Sequence, residues 1–325
     1  WKKITNIKNI YILTFVNNKM QEENKLKQGP DIYLYYWSIV ALAGFTLLNY
    51  FSKNFRIEAL DIGLMISIVS FLFGFLITIT FSMLISKISY LKDALATETG
   101  RLTSLFLLSK NLGSKFHEKI KNRIDEYTIS TLRNYINYEV SRQHIYGIHD
   151  DLQFMEIKTK NQESVSNSFL YILGELEPVR EKLEYLTSRR IEWSFKFSNY
   201  ALGIILIILL FLNRGDTFTN ILFIVLSTII IFIFLITEDY DNLKIGDYTN
   251  NISNSEQIFD LIGHDRYYPS NILSRVKLES GRKYRIGFYD EKEKSEKIFE
   301  ITYNKQFVSK VSSLLSKFRR KTQTK

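Results

Sequence analysis

Four long apolar stretches, set as two close pairs around a charged middle, constrain this chain more than any other feature. The first, Tyr33–Phe51, and the second, Ile62–Ser86, carry no formal charge. The third, Trp193–Leu212, carries Lys196 near its start, and the fourth, Phe218–Thr237, carries none. Each reaches or approaches the ~20 residues that cross a ~30 Å hydrocarbon layer. Lipid satisfies no backbone polar group, so a chain crosses it only as helix or closed barrel, and these runs lack the alternation of barrel strands. The expected fold is mainly α: a four-span helical membrane protein with a cytoplasmic helical stalk and a small C-terminal β-hairpin plus helix.

This reading divides the chain into five segments. Residues 1–32 form a polar leader in which Met20 is a candidate start, and Ile10–Val16 is too short an apolar core for a cleavable signal. A first transmembrane hairpin covers 33–86, a helical cytoplasmic region 87–192, a second hairpin 193–237 and a cytoplasmic C-terminal region 238–325. Orientation follows from Lys and Arg beside the spans. Lys25, Lys27, Lys87, Lys92, Arg101, Arg189 and Arg190 flank one side, against Lys53, Arg56 and Arg214 in the hairpin loops. The leader, middle and tail are therefore expected on the cytoplasmic side of the inner (plasma) membrane, with membrane lipid as the surrounding partner.

That bias accounts for much of the formal charge of +9. No zinc-finger spacing or aromatic–basic strand pattern is present, so no nucleic-acid partner is expected. The chain has no cysteine, which removes disulfides, thiolate metal sites and cysteine nucleophiles. No Walker A loop, G-x-S-x-G or H-E-x-x-H occurs, so neither an enzyme nor a cofactor is expected, and a membrane enzyme acting on lipid or polyprenyl substrates ranks last.

Outside the spans, periodicity predicts that the second helix runs on through Lys87–Leu112 to Gly113. A second helix is expected from about Lys115 to Val140, with Phe116, Ile120, Ile124, Tyr127 and Leu132 on one buried face. Between Ser141 and Lys160 the pattern dissolves, which reads as a connection or distorted helix. A third helix is expected from Gln162 through Arg190 into span three, with Pro178 marking a kink or break. In the tail, Ser255–Ile262 reads as a helix stopped by Gly263, Lys283–Tyr289 and Ile298–Tyr303 as a hairpin, and Lys305–Arg320 as a basic amphipathic helix. That last helix either caps the hairpin or lies on anionic lipid.

Ser70, Gly74, Thr78, Ser82 and Ser86 recur every fourth residue in span two, giving a smooth face over ~24 Å at 1.5 Å per residue. Such a face serves close helix packing, or borders a water-filled path where hydroxyls replace hydration. Phe71, Phe73, Phe75 and Phe81 supply rings for either lipid contact or an apolar constriction. No span carries a charge at its middle, which argues against a proton-coupled carrier. After span four, Glu238, Asp239 and Asp241, with Asp247 beyond, could offer oxygens to Ca²⁺ or form a solvated turn. His144 and His149, beside Asp150 and Asp151, lack metal-ligand spacing and read as a polar loop.

Several segments together resemble the bacterial bestrophin-like domain family. They are FGF at 73–75, the helix bearing Glu98 and Leu102, EDYDN at 238–242, SEQIFDLIG at 255–263, RYYP at 266–269 and KYRIGFYD at 283–290. Two departures stand out: LITITF at 76–81 lies where bestrophins place Arg and Asn after their Gly-Phe, and a dense run of consecutive acids is missing. The resemblance implies an oligomeric anion (chloride) channel, in bestrophins a ring of five, with the second span nearest the pore. Carried onto this chain it implies Ser70, Phe71, Gly74, Phe75, Thr78 and Ser82 along the conduction path, with Glu238, Asp239 and Asp241 in the region of a metal clasp. The alternative is a membrane-anchored interaction or sensory protein without transport activity.

Overall fold

A computed structural model describes residues 30–52, 62–133, 139–242, 247–276, 278–290 and 295–303. Residues 1–29 of the expected leader (1–32), the first hairpin loop with Lys53 and Arg56, and the basic C-terminal helix lie outside these residues. Within them, eight α-helices precede or flank one small sheet. They are α1 (Pro30–Phe51), α2 (Ile62–Ser109), α3 (Ser114–Arg133), α4 (Glu139–Gln153), α5 (Lys160–Ser188), α6 (Trp193–Leu212), α7 (Thr217–Asp241) and α8 (Asp247–Ile262). Four of them, beginning at α1, α2, α6 and α7, contain stretches long and apolar enough to cross a membrane.

The described chain divides into two compact units, one built from 28–92 and 186–248, the other from 93–185 and 249 onward. In the spanning unit, Phe73, Leu206, Leu210, Phe223 and Ile230 form the core. Rings interlock by their edges around it: Phe45 and Phe211 each meet Phe223 at 5.6 Å, and Phe73 meets Phe234 at 6.1 Å. Gly203 lets α6 approach α7 closely, since a Cβ there would collide with the Phe234 ring. Asp216 starts α7 through a capping box with Thr219, satisfying orphan N–H groups of its first turn.

α2 is a single helix of 48 residues, as periodicity beyond span two predicts. A 3₁₀ turn at Lys110–Leu112 follows, and Gly113, at φ 117°, takes a backbone conformation that a side chain would strain. Two readings need correction. Residues 139–153 are helical, with Ile145, Ile148 and Leu152 buried; the stripe was obscured by polar and glycine neighbours between them. The third helix passes Pro178 without a break and stops instead at Ser188, so it does not continue into span three. Pro178 removes the amide that would serve the Gly174 carbonyl, but both residues are exposed and water can replace that bond.

In the second unit, Phe116, Ile120, Ile124 and Tyr127 of α3 are buried as the sequence predicts, together with Phe169, Leu173, Leu176 and Leu183 of α5. The core also holds an ionic group: Arg180, 3% exposed, donates to Glu98 at 2.8 Å and to Ser141, while Tyr127 donates to the same carboxylate. The sheet has order β1–β2–β3, with β1 Arg266–Pro269, β2 Lys283–Asp290 and β3 Ser295–Thr302. β2 and β3 form the expected antiparallel hairpin, with Tyr284 opposite Ile301 and Ile286 opposite Phe299. The unanticipated strand is β1, which pairs parallel to β2. Parallel neighbours need a long crossover, which residues 270–282 provide with a 3₁₀ turn at Ser270–Arg275.

Candidate functional site

α2 has two unlike sides. Phe73, Ile77, Thr80 and Leu84 recur at helical spacing and are buried. Of the residues singled out from the sequence, Thr78, Ser82, Phe71 and Phe75 lie away from this side and are exposed, the two rings at 73% and 59%; Gly74 is half-buried between the sides, and Ser70, exposed, shares the azimuth of Ile77 two turns away. Nothing lies within 4 Å of a Cβ built on Gly74. Among the described residues the smooth face is therefore largely open, with room for a side chain at Gly74. The Thr78 hydroxyl donates to the Gly74 carbonyl at 2.7 Å, and Ser67 to the Gly63 carbonyl at 3.0 Å. Such back-bonding keeps hydroxyls compatible with an apolar setting while leaving oxygen lone pairs outward.

Two sets of polar groups hold the spanning unit at its ends. At the end where α6 begins and α7 finishes, the Lys196 ammonium sits between Glu238 Oε2 at 2.9 Å and Asp241 Oδ2 at 2.7 Å. Tyr200 donates its hydroxyl to Glu238 at 3.2 Å, and the Asn242 amide donates to Glu238 Oε1 at 2.9 Å. Asp241, wholly buried, also accepts the Ile191 N–H at 2.9 Å, and its carbonyl accepts from Arg190 at 2.5 Å and Lys87 at 3.4 Å. This explains the stop at Ser188: residues 189–192 leave helical geometry and spend their polar groups on Asp241 and, through the Arg189 carbonyl, on Lys87 at 2.7 Å.

Glu238 and Asp241 are thus engaged by a cation already in the chain, and Asp239 is buried beside them on α7. No group of three or more His, Asp or Glu side chains among the described residues is arranged to hold a metal ion. His144 and His149 lie on α4 rather than in a loop; His144 faces Glu126 at 3.5 Å, and Asp151 pairs with Lys119 and Arg123.

At the opposite end, Arg214 lies in the loop between α6 and α7, as expected, and is buried there. Its guanidinium lies 3.7 Å from the Phe211 ring centre and donates to the Phe211 carbonyl, to Asn49 Oδ1 at 3.1 Å and to Ser52 Oγ at 2.8 Å. Flat stacking and a fork of donors suit arginine and no other cation. Burial lowers its pKa, the direction expected of a desolvated cation.

Sequence reasoning missed one further contact. Asn199 on α6 donates Nδ2 to Thr80 Oγ1 on α2 at 2.7 Å. The signal was available: a carboxamide inside an apolar run is out of place unless it has a partner.

In the second unit, the tail motifs form a mutual staple. Arg266 of RYYP meets Glu256 at 2.8 Å and Asp260 at 2.6 Å, both from SEQIFDLIG, and Tyr268 donates to Glu256 at 2.6 Å. The Arg266 hydrogen bond holds Asp260 below the ordinary carboxylate range, and the same bond raises the Arg266 guanidinium. Burial pushes the Tyr268 hydroxyl up. Arg285 of KYRIGFYD clasps Asp125 of α3 through two 2.6 Å bonds, with His264 3.0 Å from the same carboxylate.

Four apolar helices with charge confined to their ends define an integral membrane protein. A model of the Bestrophin-like domain matches residues 37–248, and the chain belongs to that family. Crystal structures of point variants of a bacterial bestrophin homologue from Klebsiella pneumoniae share the fold. One superposes with a TM-score of 0.54 at 11% identity, covering 72% of this chain and 97% of that one. A second gives 0.54 at 11% identity, covering 72% and 99%. No curated protein sequence matches the chain.

Proposed function

We propose that this protein forms an ion-conducting pore, selective for anions, as a homo-oligomer in the inner membrane with α2 nearest the axis. The observation that carries the reading is the asymmetry of α2. One side is taken up by the protomer's own core, while Ser70, Thr78 and Ser82 are exposed among apolar neighbours such as Leu72 and Ile85, and a Cβ at Gly74 would meet open space. Four spans are too few to enclose an aqueous path alone, so copies must surround one. Phe71 and Phe75, alternating with the small residues, supply rings for a narrow apolar constriction that wets and dewets. The choice of anions follows the family resemblance and the lack of any carboxylate on that side of the span. A ring of five is the stoichiometry the resemblance favours. Lys and Arg beside the span ends put the middle segment and tail in the cytoplasm.

A membrane anchor for a cytoplasmic partner is the second reading, favoured by a second unit with its own core and staples. Purified protein in planar bilayers separates the two. Single-channel currents that reverse with the chloride gradient are expected; silence under chloride, potassium and sodium gradients would leave only the anchor.

A further inference from the structure

A pore helix must present one side to the axis and keep it there. Rotating an apolar helix within an apolar bundle meets little resistance, because Leu, Ile and Phe pack about equally well against neighbours and lipid. Glu98 ties the extension of the same helix to Arg180 and Tyr127; within the span, something else must hold the rotation locally. On the inward side of α2, Phe73, Ile77 and Leu84 offer only shape. Thr80 lies among them, wholly buried, and is chemically different. Its Oγ1 donates to the Leu76 carbonyl at 3.0 Å and accepts from Asn199 Nδ2 at 2.7 Å, joining α2 to α6.

Asn199 is 2% exposed, and among the described residues its Oδ1 has no hydrogen-bond partner. A half-satisfied carboxamide in an apolar bundle lowers stability, and leucine has the same branching without that loss. Buried polar groups kept at such a cost are best known for fixing register, as a single core asparagine does in coiled coils.

We propose that the Asn199–Thr80 contact is the pin that sets the rotation of α2, and hence which residues face the conduction path. Asn199 is a positioning residue; it lines nothing itself. The inference rests on the pore reading, and the test is chosen to tell the two apart.

The chain has no cysteine, so single cysteines can be scanned along α2 without removing any native thiol. Ser70→Cys, Gly74→Cys, Thr78→Cys, Ser82→Cys and, as an inward control, Ile77→Cys would each be reconstituted in liposomes and exposed to a charged, membrane-impermeant thiol reagent. In the parent, the four stripe positions label and Ile77→Cys does not. Adding Asn199→Leu or the near-isosteric Thr80→Val slows labelling at Thr78→Cys by roughly tenfold and moves it to adjacent positions, whereas Thr80→Ser keeps the parent pattern. If the stripe labels in the parent and is unchanged by both Asn199→Leu and Thr80→Val, the pin is overturned and the pore reading survives. If no stripe position labels in the parent, the pore reading fails and takes the pin with it. Size-exclusion profiles report whether Asn199→Leu still assembles; should it not, Thr80→Val, the smaller perturbation, carries the test.

Discussion

The two units bury charge in opposite ways. In the unit of residues 93–185 and the tail, an ionic group sits in the middle of the core: Arg180, Glu98, Tyr127 and Ser141 satisfy one another beside Leu102 and Leu176. In the spanning unit, ions gather at the ends, Lys196 with Glu238 and Asp241 at one and Arg214 at the other, and the polar groups buried between them are uncharged, the Asn199–Thr80 pair and the Ser227 hydroxyl among them. The contrast follows from solvent. A span inserted in lipid keeps its ions where headgroups and water reach them, because a charge at mid-bilayer is costly, whereas a core outside the hydrocarbon layer can hold an ion pair whose hydrogen bonds are satisfied. Polar contacts inside the membrane are therefore few, and each one carries more of the specification of how helices sit.

Removing one member of the central ionic group should break the contrast most severely. Arg180→Met leaves the Glu98 carboxylate in a core without its cation, a loss of about 3–5 kcal/mol. Denaturant or thermal unfolding in detergent would register it, and Glu98→Gln with Arg180→Met together should recover part of the loss. Near wild-type stability of the single variant would mean that the charge is not truly desolvated.

Lys196→Met should cost less, about 2–3 kcal/mol, because Glu238 is half-exposed and other donors still serve Asp241. Unfolding curves recorded from pH 7 downward would test the cause: the variant should approach wild type as the Glu238 carboxylate protonates. A deficit that does not change with pH would point to lost packing of the lysine stem instead.

The tail staple gives the smallest effect. Asp260 is held below its ordinary value of 3.8 by its hydrogen bond to Arg266. A depressed carboxylate contributes stability above its unfolded pKa and loses it as pH falls through the lower folded value. Loss of the tail's stability should therefore begin below about pH 4, and Asp260→Asn should remove that pH dependence while costing under ~1 kcal/mol, since the pair is partly exposed. Hydrogen exchange over α8 and β1 reads this locally.

Much of the architecture was legible because lipid imposes one strong rule on sequence. Uninterrupted apolar runs marked the four spans, and α6 begins and ends at Trp193 and Leu212, where its apolar run does. The extension of α2 was legible from unbroken periodicity without proline. What escaped had physical reasons. Among the described side chains of helix α4 the deeply buried apolar ones are Ile145, Ile148 and Leu152, too sparse a stripe to read amid charges. The stop at Ser188 depends on Asp241, far along the chain, and no local signal announces it. Strand β1 is four residues whose partner lies across a long crossover. At the candidate site, spacing identified the smooth face of α2 but not which way it points; that required the inward side, with Thr80, to be seen engaged. The acids after span four were legible as a cluster, yet the lysine between two of them sits in another span.

The pore reading is tested most directly in the bilayer recording by placing Gly74→Leu beside wild type. A Cβ at 74 meets nothing within 4 Å among the described residues, so the variant should fold and assemble as wild type does. If α2 surrounds the conduction path, its chloride current should fall roughly tenfold or more as the apolar constriction tightens. Equal currents from an equally assembled variant would contradict the account, because the open side of α2 would then face something other than the ions.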